Sequence, residues 1–349
     1  MRRKNPPVTV SILTYNGLKY LKYCFNSVFS QSYPDTEIIV LDNHSTDGTV
    51  DWLKNLKPRN NLRIIFNQEN LGFATGHNRI IRESRGKFIL CLNQDAVLDR
   101  DFILNAVKTF NQDQKIGSVQ GKLYRWQIGI PASQSAREYH VSRIIDTTGL
   151  KIFKNRRIIN REQGQIDQGK FEKTEEVFGA DGAVAVYRHQ ALEDVKTPIN
   201  NQVEYFDEDF FAYKEDVDLA WRLRLYGWKT VYQPKAIAWH DRTAGDSAET
   251  NYFLIIRERM KIGKFGKYLA FKNGRLAQIK NEQVFLLFKH LPRILTKEIA
   301  SWIYVILFEK YTWKAIKDLF RQAPSAWRKR KIIMARKRVS AKEMEKWFK

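Results

Sequence analysis

The chain opens with a β-branched apolar run, Val8–Thr14, bounded by polar residues on both sides, and this reads as a buried strand. Apolar residues then recur at helical spacing, with Leu21, Phe25, Val28 and Phe29 on one face, so a helix is expected over about Lys19–Ser30. Glu37–Leu41 is a second strand, and the turn chemistry of residues 42–48 leads into a helix capped by Thr46 or Asp47 and ending near Leu56. Leu62–Phe66 is a third strand. Gly72–Gly76 opens a helix running to about Ser84, and Phe88–Leu92 is a fourth strand. Four short apolar strands alternating with amphipathic helices predict an α/β layer with a mostly parallel sheet.

Beyond this the pattern weakens. Residues 115–175 show little regularity. Val177–Tyr187 reads as one strand broken by Gly179 and Gly182, and Glu215–Tyr226 as a helix stopped by Gly227. Thr230–Tyr232 and Ala236–Trp239 read as short strands, with His240 after the second.

In parallel sheets ligands gather beyond the carboxyl ends of the strands. The polar clusters Thr14-Tyr15-Asn16, Asp42-Asn43 and Asn93-Gln94-Asp95 fall there. Asp95 suits a hard dication, Mg²⁺ or Mn²⁺, holding a diphosphate, or equally a helix cap. Six carboxylates lie within residues 207–218, more than helix capping needs, and their repulsion calls for a cation or a cationic ligand. Asp216, in a first helical turn, is placed to act as a general base. His240 is either a structural histidine or a metal ligand, and His77 is expected to be structural. No Walker glycine loop or dinucleotide fingerprint is present, which argues against an ATPase and a nicotinamide enzyme.

Charge divides the chain. The net is +22 over 349 residues, and residues 251–349 hold 25 of the 60 Lys/Arg but only 7 of the 38 acids. A near-neutral body is thus followed by a basic, aromatic-rich region whose apolar stretch Glu298–Leu319 is flanked by cations, the pattern of helices lying on an anionic membrane surface. No apolar run approaches the roughly 20 residues of a spanning helix. Met1–Lys4 is basic like the start of an export signal, but the run after it is too short for one. Cys24 and Cys91 are expected to be buried free thiols.

Taken in order, Val10–Asn16, Glu37–Asn43 with Ser45–Gly48, Asn70–Ala74 with Asn78, Leu92–Asp95, and Phe211–Leu219 with Arg222 resemble glycosyltransferase family 2, with bacterial rhamnosyltransferase-like enzymes as the nearest subgroup. The resemblance implies a GT-A fold over residues 1–250, with a nucleotide-sugar-binding half (1–110) and an acceptor half (111–250), and a helical C-terminal extension over 251–349. It implies an inverting, metal-dependent transferase that moves a sugar, rhamnose or another hexose, from a dTDP or UDP donor to a saccharide or lipid-linked acceptor. By that resemblance Thr14, Tyr15, Asn16, Asp42, Asn43, Gly72, Asn78 and Asn93 surround the donor. Asp95 and His240 hold the metal, Asp216 is the base, and Gly182, Glu215 and Asp218 line the acceptor side. Asn93 stands where the metal motif usually has an acid. A cytoplasmic enzyme peripheral on the inner face of the cell membrane is expected. Nucleic-acid binding is disfavoured, because no helix-turn-helix, RNA-binding or zinc signature accompanies the basic charge.

Overall fold

A computed structural model describes residues 5–128, 140–199, 202–242, 248–249 and 251–349. Met1–Lys4, Thr243 and Gly245, which the sequence reading touched, lie outside the described residues.

The first half follows the expected order: β1 (Val8–Thr14), α1 (Leu18–Phe29), β2 (Thr36–Asp42), α2 (Thr49–Lys54), β3 (Leu62–Phe66), α3 (Gly72–Glu83) and β4 (Phe88–Asn93). The cap of α2 is Gly48, at φ +92°, and not Thr46 or Asp47, although the Asp47 carboxylate still accepts from the Thr49 N–H. β5 (Ala96–Leu98), α4 (Phe102–Phe110), β6 (Ile116–Gln127), β7 (His140–Thr147), β8 (Leu150–Ile152), β9 (Ile158–Asn160), β10 (Glu175–Val177) and β11 (Val184–Arg188) follow. Then come α5 (His189–Val195), β12 (Thr197–Ile199), β13 (Gln202–Glu204), α6 (Glu215–Leu225) and β14 (Lys229–His240).

One sheet of ten strands dominates, in the order β10-β14-β6-β11-β4-β1-β2-β3 with β5 on β14 and β7 on β6. β4, β1, β2 and β3 run parallel, and β11 enters antiparallel between β4 and β6 and joins the two halves. The central strands are buried on both faces, so their side chains feed two cores by alternation. From β4, Phe88, Leu90 and Leu92 pack with α1 and α4, and Ile89 and Cys91 pack with α5 and α6. Cys24 and Cys91 are buried free thiols, as expected.

Three differences from the sequence reading lie in the second half. Residues 115–175 contain the long β6, whose Ser118, Gln120 and Lys122 are buried polar residues that break the apolar signal. Lys122 is neutralised there by Asp167 at 2.9 Å and by Glu172. The single strand expected over Val177–Tyr187 is two, β10 and β11, with residues 178–183 crossing between them. The two strands expected near 230–239 are one, β14, whose register on β6 slips between Gln233 and Ile237 around Pro234.

The C-terminal region comprises α7 (Tyr252–Lys261), α8 (Lys264–Asn281), α9 (Val284–Lys289), α10 (Leu291–Phe308), α11 (Trp313–Arg336) and α12 (Ala341–Glu345). It packs on α6: Leu286, Ile333, Met344 and Phe348 join the core that contains Leu219 and Trp221. Among the described residues no helix is long and apolar enough to cross a membrane.

Candidate active site

The ends of β1, β2 and β4 form one floor. Gln94 ties the first and last together: its side-chain oxygen accepts from Thr14 Oγ1 (2.6 Å) and the Tyr15 N–H (2.9 Å), and its amide donates to the Tyr15 carbonyl. Asn16, at φ +49°, accepts from the Thr46 N–H and donates its own N–H to Ser45. Asp42 is fully buried and accepts from the Ser45 N–H and hydroxyl. Asn43 donates to the Gly72 carbonyl and accepts from Asn67. Gly72 sits at φ +78°, where a Cβ would lie 2.6 Å from Phe211, so only glycine fits. Tyr15 leaves its ring exposed beside this floor.

Asp95 and His240 meet where β14 ends beside β5, with Oδ1 and Nε2 3.4 Å apart. His240 Nδ1 contacts Asp146 Oδ2 at 2.9 Å, and Arg242 also grips Asp146. Burial would lower the His240 pKa, but Asp95 and Asp146 carry it up to about 10. Burial would raise Asp146, yet Arg242 and His240 hold it well below the usual carboxylate range. With its Nδ1 proton directed to Asp146, His240 presents Nε2 toward Asp95. That is the carboxylate–histidine support common behind metal-ligating imidazoles. Among the described residues no third His, Cys, Asp or Glu completes a metal cluster. The Asp95 carboxylate and, once its proton is displaced, the His240 Nε2 are donors of the kind a divalent cation accepts.

Arg242 reaches Asp181 at 3.5 Å, and the neighbouring Gly182 N–H donates to Asp216 Oδ2 at 3.1 Å. Asp216 Oδ1 accepts from the Val217 N–H at the start of α6. A line of contacts thus runs from Asp95 through His240, Asp146 and Arg242 to Asp181, and from its chain neighbour Gly182 to Asp216. Burial and the Asp181 charge raise the Asp216 pKa. Burial and Asp216 push Glu215 well above its ordinary value, and its Oε2 has no hydrogen-bond partner. A Cβ on Gly182 would stand 3.2 Å from Asp216 Cβ, so a small residue keeps the space beside the carboxylate.

The segment before α6 is strained. Phe211, Tyr213 and Lys214 all have positive φ. Asn273 of α8 holds it, with its amide near the carbonyls of Phe210, Ala212 and Tyr213 at 2.7–2.9 Å.

The structure therefore gathers Thr14, Tyr15, Asn16, Asp42, Asn43 and Gly72 on one floor, with Asn93 at the end of β4. It sets Asp95, His240, Gly182, Glu215 and Asp216 along one connected wall. It does not bring Asn78 or Asp218 to the cleft. Asn78 is buried and spends its amide on the 205–208 segment. Asp218 is buried against Arg222 (2.9 Å), Lys280 (2.8 Å) and Asn281 (2.7 Å). The cation foreseen for the acid cluster is largely supplied by the chain: Lys280 and Lys329 bind Asp207, Lys329 binds Asp209 and Glu204, and Arg82 binds Glu208. His77 is buried with Ser11, as a structural histidine. Sequence reasoning missed Gln94, Asp146, Asp181 and Arg242. Gln94 and Asp181 stood inside quoted motifs, and Asp146 had no local signal.

Comparison with known proteins follows the same lines. A profile of glycosyl transferase family 2 matches residues 9–196, which ends before Asp216 and His240. The chain is 24% identical over 314 residues to the poly-beta-1,6-N-acetyl-D-glucosamine synthase of Staphylococcus epidermidis, covering 85% of this chain and 62% of that protein. It is 24% identical over 250 residues to the synthase of Staphylococcus aureus strain COL, covering 68% and 52%. It thus spans between half and two thirds of these relatives' length. Among solved structures, S. aureus TarS in complex with UDP-GlcNAc aligns with TM-score 0.52 at 16% identity, over 91% of this chain and 81% of that one. The mannosyltransferase PcManGT of Pyrobaculum calidifontis, in complex with GDP-Man and Mn²⁺, aligns with TM-score 0.50 at 16% identity, over 96% and 86%. These structures share the GT-A fold with the chain.

Proposed function

Because the chain belongs to glycosyl transferase family 2, we propose that it transfers a sugar from a nucleoside-diphosphate donor to an acceptor hydroxyl, with inversion at the anomeric carbon. The observation that carries this reading is the line of contacts from Asp95 and His240 to Asp216. It sets Asp95, His240 and Asp216 along one wall, which supports reading them as a cation site and a base within reach of one donor.

Tyr15, Asn16, Asp42 and Asn43 hold the base and ribose of the donor. Asp95 and His240 would hold a divalent cation, Mg²⁺ or Mn²⁺, which offsets charge on the departing diphosphate. PcManGT in complex with Mn²⁺ supports such a cation. Asp216 accepts the acceptor hydroxyl proton as that oxygen bonds to the anomeric carbon and the bond to the diphosphate breaks. Its raised proton affinity suits a base, and the Gly182 and Val217 N–H groups favour its ionised form and aim it. Attack opposite the leaving group inverts the centre.

The donor is a pyrimidine nucleotide sugar, UDP or dTDP, in this reading. Between rhamnose and another hexose from UDP, two of the named proteins favour the second: one is a poly-beta-1,6-N-acetyl-D-glucosamine synthase and TarS was solved with UDP-GlcNAc. The acceptor is a cell-envelope polysaccharide or a lipid-linked saccharide.

A membrane-peripheral position on the inner leaflet belongs to the same reading. Of the large apolar side chains left exposed among the described residues, most lie beyond residue 251, and α10 turns Leu295, Ile299, Ile303 and Leu307 outward as one stripe. A basic region with a bare apolar stripe matches an anionic bilayer surface.

The test is transfer and donor hydrolysis with UDP-GlcNAc, UDP-glucose and dTDP-rhamnose, each with Mn²⁺ or chelator. Cation-dependent turnover with a pyrimidine donor is expected. Failure of every nucleoside diphosphate to bind would overturn the reading.

A further inference from the structure

The turn that delivers Asp216 is fixed from outside its own helix. α6 begins at Glu215, and its N-cap is Lys214 in the left-handed region, with no side-chain cap hydrogen bond. An ordinary N-cap is an extended Ser, Thr, Asp or Asn whose side chain fixes the first turn. Ahead of it Phe211 has φ +64° and ψ −64°, and the Ala212 N–H donates to the Phe210 carbonyl at 2.7 Å. That is the tight γ-turn that non-glycine residues seldom adopt. Tyr213 is at positive φ as well. Such conformations persist only where their surroundings over-determine them.

Two elements do so. From α3, the Ala74 N–H donates to the Phe211 carbonyl at 3.1 Å, and Gly72 leaves room for the Phe211 ring. From α8, Asn273 Nδ2 donates to the carbonyls of Phe210, Ala212 and Tyr213 at 2.9, 2.8 and 2.7 Å. Asn273 is fully buried, and its Oδ1 has no hydrogen-bond partner among the described residues. A buried amide left half satisfied is costly, and the hydrogen bonds this one does make all go to the turn. Lys280 and Asn281, farther along α8, bind Asp207 and Asp218 on either side of it, so the helix stays fastened to the body without Asn273. We propose that Asn273 is a positioning residue for the transfer: by holding residues 210–214 in this turn it keeps the Asp216 carboxylate against the Gly182 N–H, where the acceptor hydroxyl meets it. The basic C-terminal helices then serve the chemistry as well as the membrane contact. The inference deepens the transferase reading and rests on it.

The full chain is compared with Asn273→Ala, Tyr213→Gly and the double variant. UDP release from UDP-GlcNAc with Mn²⁺ gives kcat and donor KM, calorimetry gives UDP affinity, and mass spectrometry follows hydrogen exchange. Asn273→Ala is expected to lower kcat about 10²-fold, the weight of a misplacement of about 1 Å, with donor KM and UDP affinity unchanged. Amides of residues 211–217 are expected to exchange faster, while those around Lys280 and Lys329 stay protected. Glycine holds a positive φ without help, so Asn273→Ala is expected to cost less turnover in the Tyr213→Gly background. Unchanged kcat or unchanged exchange over 211–217 in Asn273→Ala overturns the proposal. So does an equal loss in both backgrounds, or a loss in donor KM and UDP affinity in place of kcat. If Asn273→Ala alone does not fold, kcat of the double variant against Tyr213→Gly decides: a fall supports the proposal and no change overturns it. Failure of the unaltered chain to bind or turn over any nucleoside-diphosphate sugar strikes the transferase reading instead, and the exchange data then still show whether Asn273 holds the turn.

Discussion

The acids of residues 204–218 divide into two groups that look alike in sequence and differ in space. Asp207, Asp209 and Asp218 are met by Lys280, Lys329 and Arg222, and burial notwithstanding, those cations hold Asp207 and Asp218 below the usual carboxylate range. Glu215 and Asp216 form no side-chain ion pair among the described residues, and although Lys214 stands in electrostatic range, burial raises both, with Asp216 adding to Glu215 and Asp181 adding to Asp216. The first group fastens the basic helices to the body. The second is left costly in the ionised state, which is the condition of a base and of a surface awaiting a ligand. Charge density alone therefore tells nothing of role. What matters is whether a cation of the same chain reaches it.

The sharpest way to test the division is to remove one member of each group. Asp216→Asn is expected to lower turnover about 10²–10⁴-fold, the usual weight of a positioned base, while donor affinity and melting temperature hold or rise because a repulsion is relieved. Retained turnover would end the base assignment. Lys329→Met is expected to act on stability: it strands Glu204 and leaves Asp207 with Lys280 alone, both acids largely buried, and should cost up to about 3–5 kcal/mol in denaturant titration. An unchanged midpoint would show that the network is not what anchors α11. Acid should separate the groups too. Asp207 is depressed, so its stabilisation is present above its unfolded value, near 3.8, and is lost as pH falls below it. Glu215 is raised, so the native state takes up protons first and stability increases as pH falls from neutrality toward 4.5.

The first half of the fold was legible because its strands are continuous apolar runs with polar clusters at their ends, as in Val8–Thr14 followed by Tyr15 and Asn16. The second half was not, because β6 carries Ser118, Gln120 and Lys122 inward and relies on distant partners such as Asp167 to neutralise them. Asp216 and His240 were proposed from motifs, and the structure sets them along one wall. Asp146, which fixes His240, was invisible because nothing near it in sequence signals a ligand's support. The lysine answers to Asp207 and Asp218 were invisible for the same reason: Lys280 and Lys329 come from helices more than sixty residues downstream.

Support behind a ligand is open to a smaller test. Asp146→Asn keeps size and removes the charge that orients His240. Loss of such a partner typically weakens metal binding about 10–100-fold, so the Mn²⁺ concentration needed for half-maximal turnover should rise by that factor, with maximal turnover little changed. An unmoved Mn²⁺ titration would detach Asp146, and with it His240, from the cation site.

The smallest effect is the most specific to the comparison. If Asp216 is raised by burial and then by Asp181, removing the Asp181 charge should lower its pKa toward the ordinary aspartate value. A base works when ionised, so the acid limb of the kcat profile should move to lower pH in Asp181→Asn, and turnover on that limb should increase relative to the parent. Above the limb, turnover should hold or fall slightly, because a less basic carboxylate takes the proton less readily. Arg242 also contacts Asp181, so Arg242→Gln is the counter-variant. It removes a cation from the same wall and should move the limb the opposite way, toward higher pH. Two shifts of opposite sign would tie the cleft acids into one electrostatic unit, whereas a limb that stays put in both would mean that Asp216 is tuned by burial alone.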